Sequence, residues 1–92
     1  MIKSFRSREA EALFNDIAVP RFRNIERVAR RKLLYLDQAK SLVDLRVPPG
    51  NQLEALKGDR KGQHSIRVND QFRICFIWKD SAAFDVELVD YH

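Results

Sequence analysis

The chain has 92 residues, with 17 Lys and Arg against 13 Asp and Glu, a formal charge of +4 and a sequence pI near 9.6. That length supports a single domain, residues 1–92, burying roughly two thirds of its unfolded surface, and leaves no room for a large internal ligand chamber. The positive excess is modest: it favours a polyanionic partner without identifying one.

The lone cysteine, Cys75, rules out a disulfide framework and a paired-thiolate metal site. No run approaches the roughly 18 apolar residues of a membrane span, and Met1-Ile2-Lys3-Ser4-Phe5 is too polar and short for a signal peptide. A reducing cytoplasm, with no membrane partner, is the expected home.

In chain order, Ile2 and Phe5 flank a short extended entry, weak as a strand signal. From Arg8 to Ile17 the apolar residues Ala10, Leu13, Phe14 and Ile17 follow the i, i+3, i+4, i+7 rule behind a capping Ser7, predicting an amphipathic helix. Val19-Pro20 breaks it. A second helix is expected from about Phe22 to Ala39, with Ile25, Val28, Ala29, Leu33 and Leu36 on one stripe and Arg23, Arg27, Arg30, Arg31 and Lys32 mostly elsewhere. The two helices should pack as a hairpin. Ser41 to Leu45 allows one more helical turn, and Pro48-Pro49-Gly50-Asn51 an exposed loop.

Leu53 to Lys57 then leads into Gly58-Asp59-Arg60-Lys61-Gly62, a turn whose polar groups face solvent or a ligand. Beyond it the period becomes two. His64, Ile66 and Val68 alternate, then Phe72, Ile74, Phe76 and Trp78, then Phe84, Val86 and Leu88, which predicts three antiparallel strands joined by hairpins. The expected class is α+β: a short N-terminal strand, a two-helix hairpin, then a three-stranded antiparallel meander that the first strand can extend.

Register follows from parity, because a slip of one residue exchanges the faces. A loop at Asn69-Asp70-Gln71 sets Val68 opposite Phe72, Ile66 opposite Ile74 and His64 opposite Phe76, with this apolar face on the helices. Arg67 and Arg73 become neighbours on the other face, together with Ser65 and Cys75. The last hairpin is expected to pair Trp78 with Phe84 and Ile74 with Leu88, carrying Val89 and Tyr91 to the Arg73 face. Like charges directly opposite are unfavourable unless an anion lies between them, so Glu87 or a phosphate is expected there. A purely structural network with Glu87 or Asp85 is the other reading.

The chain closes on Asp90-Tyr91-His92, an acid, a phenol and an imidazole attached to a strand-like run. All three exchange protons or hydrogen-bond a phosphate; a polar tail is the plainer alternative. Lys57 and Arg60 read either as solvated turn charges or as phosphate ligands, and the arginine-rich helix stripe as a solvated face or an RNA contact. His64, in the apolar parity, reads as a hydrogen-bonded core histidine, and Cys75 as a small packing residue. No metal-ligand spacing occurs, so neither metal nor cofactor is expected.

Leu56-Lys57-Gly58-Asp59-Arg60, Ser65-Ile66-Arg67-Val68, Phe72-Arg73-Ile74 and the final Asp90-Tyr91-His92, in that order, resemble the HigB-type toxins of the RelE/ParE superfamily of bacterial toxin–antitoxin pairs. The resemblance spans nearly the whole chain. It implies a compact RelE-like microbial RNase fold and an endoribonuclease that enters the ribosomal A site and cuts messenger RNA. It also implies restraint by a HigA-like antitoxin with a helix-turn-helix domain, through which alone operator DNA would be bound.

By the same resemblance the site falls on Lys57, Arg73, Asp90, Tyr91 and His92; the turn and sheet-face arginines Arg60 and Arg67 are read beside it as further phosphate ligands. Cleavage beside a 2′-hydroxyl needs a proton acceptor, donors for the charge on the phosphorane and a proton for the departing 5′-oxygen. Arg73 offers a planar fork and Lys57 a point charge. His92 titrates nearest neutrality and is the expected proton carrier, with Asp90 as its orienter or as the base. Tyr91 can stack on a base or donate to the phosphate. Glu54 stands where close relatives often carry a histidine; it can act as base, but repels phosphate unless Lys57 or Arg60 neutralises it.

Two other classes stay open. A gyrase-inhibiting, ParE-like toxin needs no acid or base, and a noncatalytic RNA-binding module needs charge alone. The terminal histidine and the Lys57/Arg73 pair favour the ribonuclease.

Overall fold

In a computed structural model of the chain, residues 1–91 are described. Helix α1 (Arg8–Phe14) and helix α2 (Glu26–Gln38) precede a four-stranded antiparallel sheet of β1 (Glu54–Ala55), β2 (His64–Arg67), β3 (Phe72–Lys79) and β4 (Ala82–Asp90), in the spatial order β1-β2-β3-β4. Among the described residues no helix is long and apolar enough to cross a membrane.

Each helix is shorter than its apolar pattern suggests. The Ser7 side chain accepts from the Ala10 amide and starts α1 as expected, but Asp16 turns left-handed (φ 67°) and Ile17 emerges 58 % exposed. Pro20–Phe22 forms its own 3₁₀ turn, so α2 begins only at Glu26. Arg30 joins the two helices: its Nε donates to the Leu13 carbonyl at 2.9 Å, satisfying an end-of-helix acceptor. The charged stripe is therefore not wholly solvated. Lys32, at the spacing of Ala29, Leu33 and Leu36, is buried with them.

Ser41 and Asp44 form a capping box at the start of a 3₁₀ turn, Leu42–Arg46. The proline segment is another such turn, Pro49–Asn51, rather than an open loop, and Asn51 is fully buried. Strand β1 was not expected, because two exposed residues carry no readable period. It pairs Glu54 with Ser65 and Ala55 with His64.

The central register is as parity predicts: His64 opposite Phe76, Ile66 opposite Ile74 and Arg67 opposite Arg73. Asn69 holds the hairpin loop by accepting from the Gln71 and Phe72 amides. The last hairpin departs from expectation. Trp78 faces Ala83, and Phe84 faces Ile77, because β4 carries an extra residue near Asp85 (φ 52°), a bulge that restores parity before Leu88 meets Ile74. Ile2 and Phe5 make isolated parallel bridges to Ala83 and Val86, so the predicted first strand is a broken one, joined by four backbone hydrogen bonds along the outer edge of β4.

One apolar core results, in which Leu13, Phe22, Leu33, Leu36 and Leu45 pack on Ile66, Ile74, Phe76 and Val86. The opposite face of the sheet is polar.

Candidate active site

Two transverse rows cross the polar face. Glu54, Ser65, Cys75 and Glu87 form one, strand by strand; Arg67, Arg73 and Val89 form the next. The like-charged Arg67 and Arg73 oppose each other as expected, but neither Glu87 nor Asp85 lies between them. Arg67 pairs with Asp70 in the hairpin loop. Arg73 leans into the first row: its Nε donates to Ser65 Oγ at 2.7 Å and its Nη2 to the Gln52 carbonyl, with Glu54 Oε1 3.5 Å away. Repulsion is removed by turning the two guanidinium groups toward separate acceptors.

Arg73 is only 8 % exposed, yet its Nη1 makes no hydrogen bond to a described residue. One edge of the fork is locked into the protein and the other remains available. Tyr91 lies over it, with the ring centroid 6.0 Å from the guanidinium carbon and the hydroxyl 3.9 Å from Cys75 Sγ. Burial pushes both the Tyr91 phenol and the Cys75 thiol up, so at neutral pH both are protonated donors.

Arg60 completes the patch. Its Nη1 donates to Glu87 Oε2 and to Gln63 Oε1, each at 3.1 Å, and Arg6 approaches the same carboxylate at 3.8 Å. The hydrogen bond to Glu87 holds the Arg60 pKa above its ordinary value. Lys57 is exposed beside the Gly58–Arg60 turn and makes no ion pair among the described residues. The neutraliser of Glu54 is thus neither Lys57 nor Arg60 but Arg73.

The terminal triplet divides. Asp90 pairs with Phe72 and so shares the helix-side parity, where it accepts from Gln71 Nε2 at 3.1 Å and borders a cleft of about 390 Å³ with Arg21, Asn24 and Asn69. Its parity is therefore opposite to that of Arg73. His92 lies outside the described residues.

Sequence reasoning gave Ser65 its face but not its task, and missed the Gln52 carbonyl. Only Lys32 left a usable signal, its place on the apolar stripe. His64 stacks on Phe76 but is only half-buried, and its buried Nδ1 lacks, among the described residues, the hydrogen bond expected of it. Among the described residues no group of three or more His, Cys, Asp or Glu is arranged to hold a metal ion.

An α+β chain with a polar, arginine-bearing sheet face and two helices behind it has the architecture of a RelE-like toxin. The description "RelE-like toxin of type II toxin-antitoxin system HigB" matches residues 3–92. Toxin HigB-1 of Vibrio cholerae serotype O1 is 41 % identical over 90 residues, covering 96 % of this chain and 95 % of the relative. Endoribonuclease HigB of Proteus vulgaris is 34 % identical over 95 residues, covering both chains completely. The fold is shared with the solved YoeB–YefM complex of Staphylococcus aureus, at a TM-score of 0.58 and 18 % identity, covering 100 % of this chain and 98 % of that one. The chain belongs to the HigB-like toxin family, as its motif order implied.

Proposed function

We propose that this toxin is an endoribonuclease that cuts messenger RNA in the ribosomal A site by transesterification. The 2′-oxygen loses its proton and bonds to phosphorus, and the bond to the 5′-oxygen breaks as that oxygen gains a proton. The products are a 2′,3′-cyclic phosphate and a 5′-hydroxyl. The observation that carries this reading is Arg73: a guanidinium fixed on one edge by Ser65 and Gln52, open on the other, beneath the Tyr91 ring.

Held this way, Arg73 offers its unbonded Nη1 to a phosphate oxygen without reorganising as charge builds, which is where electrostatic catalysis is strongest. Tyr91, held protonated, donates to the phosphate or stacks on a base. Lys57 and Arg60 attract the flanking backbone, and Arg67 extends that track. Proton transfer is assigned to His92, with Asp90 orienting it, while Glu54, paired to Arg73, is the second candidate base.

Support also comes from a relative that carries the name endoribonuclease and matches along its full length. A fold neighbour solved with an antitoxin supports a protein partner, which we take to be a HigA-like antitoxin with a helix-turn-helix domain. Operator DNA is then bound only through that complex, and the chain acts in the bacterial cytoplasm on ribosome-bound message.

Mapping transcript 5′ ends after induced expression tests the proposal. Cuts within translated codons support it. Double-strand DNA breaks with intact transcripts establish gyrase poisoning instead, and harmless induction with RNA binding alone establishes a noncatalytic module. Tyr91→Phe and Lys57→Ala are suitable variants, since both side chains are at the surface. Arg73→Lys is informative only where the variant is shown to fold, because the replacement strips acceptors inside the fold.

A further inference from the structure

We infer that Lys32 and Asn51 are positioning residues for Arg73, acting through the backbone carbonyl of Gln52. The inference rests on the reading of Arg73 as the phosphate-binding fork. It begins with a buried amine that nothing else explains.

Lys32 lies on the core side of α2 and is 6 % exposed. Burying an ammonium group opposes folding unless it is compensated. Burial, with Arg31 and Arg67 nearby, lowers its pKa accordingly. A leucine at this position on the apolar stripe would avoid that opposition.

What the amine does is donate to Asn51 Oδ1, while its Nζ lies 5.6 Å from the centroid of the Tyr35 ring. Asn51 is fully buried, and its Nδ2 donates to the Leu45 and Val47 carbonyls at 3.1 and 3.4 Å. One side chain therefore clamps the loop to itself and to α2. The next residue, Gln52, is held left-handed (φ 44°, ψ 56°), a conformation that strains a non-glycine residue. That conformation delivers its carbonyl to Arg73 Nη2.

The relay thus runs from Lys32 to Asn51, through one strained residue, to the guanidinium. It fixes the rotation of the fork, whose Nε end is set separately by Ser65. Misplacing a catalytic group by about 1 Å can lower turnover by about 100-fold, so a loop clamp that does not itself touch Arg73 has leverage on chemistry.

The test uses Lys32→Met and Asn51→Ala in the full chain, with Leu13→Ala as a core truncation on α1 that weakens the fold without touching the loop. Nitrogen-15 NMR of the arginine side chains reads Arg73 directly. Both relay variants are expected to speed rotation about its Cζ–Nη2 bond and to raise hydrogen exchange there, whereas Leu13→Ala leaves that signal unchanged. On ribosome-bound message the relay variants should lose about tenfold in kcat with KM within twofold. In an Arg73→Lys background the same substitutions should change kcat less than twofold.

An unchanged Arg73 signal in folded Lys32→Met and Asn51→Ala overturns the relay, as does an undiminished kcat loss in the Arg73→Lys background. If the wild-type chain cleaves no RNA, the ribonuclease reading fails, and the NMR comparison alone decides the relay.

Discussion

Replacing Ser65 by alanine removes one oxygen atom and tests the anchoring of the site. Ser65 is fully buried, and its Oγ is the acceptor for Arg73 Nε at 2.7 Å. A hydrogen bond to a charged group contributes roughly 1.5–3 kcal/mol, and the orphaned N–H of a group only 8 % exposed has little water to turn to. The Gln52 carbonyl and Glu54 still hold Nη2, so we expect a loss of about 2 kcal/mol rather than the upper limit. For a domain of this size that lowers Tm by about 8–16 °C. Urea denaturation should show a lower midpoint at unchanged m, since the surface exposed on unfolding is the same. A loss below about 0.5 kcal/mol would mean that Ser65 does not hold the fork.

Other perturbations probe other parts of the molecule. Ser7→Ala should cost about 1 kcal/mol by removing the α1 cap, again read by urea denaturation; a neutral result would place the stability of α1 wholly in its packing. Asp44 accepts from the Lys40 and Ser41 amides, and these bonds hold its pKa below 3.8. A depressed carboxylate stabilises the fold above its unfolded pKa, so the gap between wild type and Asp44→Ala should be flat near neutrality. It should close as pH falls below 3.8 through the folded value, and a gap independent of pH would contradict the capping box. Lys57→Ala should weaken single-stranded RNA binding and reduce the slope of log K against log salt by about 0.7; an unchanged slope would remove Lys57 from the phosphate track.

How far the sequence reaches can be judged element by element. Parity alone placed Arg67 opposite Arg73 and Tyr91 over the same face, because one buried side makes register nearly compulsory. It failed at Trp78, where the bulge at Asp85 inserts a residue without any sequence mark beyond an unremarkable aspartate. The helices were found but overextended, since apolar spacing continues through Ile17 after the backbone has turned left-handed at Asp16. Family resemblance supplied the candidate residues, yet not their geometry. That Arg73 is anchored by a serine hydroxyl and a loop carbonyl depends on contacts 8 and 21 residues distant, which no local pattern encodes. Grouping Lys32 with the solvated arginines was an error of charge over spacing.

The chemistry of the cut ends tests the central claim most directly. Purified chain is incubated with ribosomes carrying a defined message, and the fragments are probed for ligation of their 5′ ends with and without prior kinase treatment. Transesterification across the Arg73 face predicts 5′-hydroxyl ends that ligate only after phosphorylation, and 2′,3′-cyclic phosphates on the upstream fragments. Fragments that ligate directly through 5′-phosphates, or a message left intact, would contradict it.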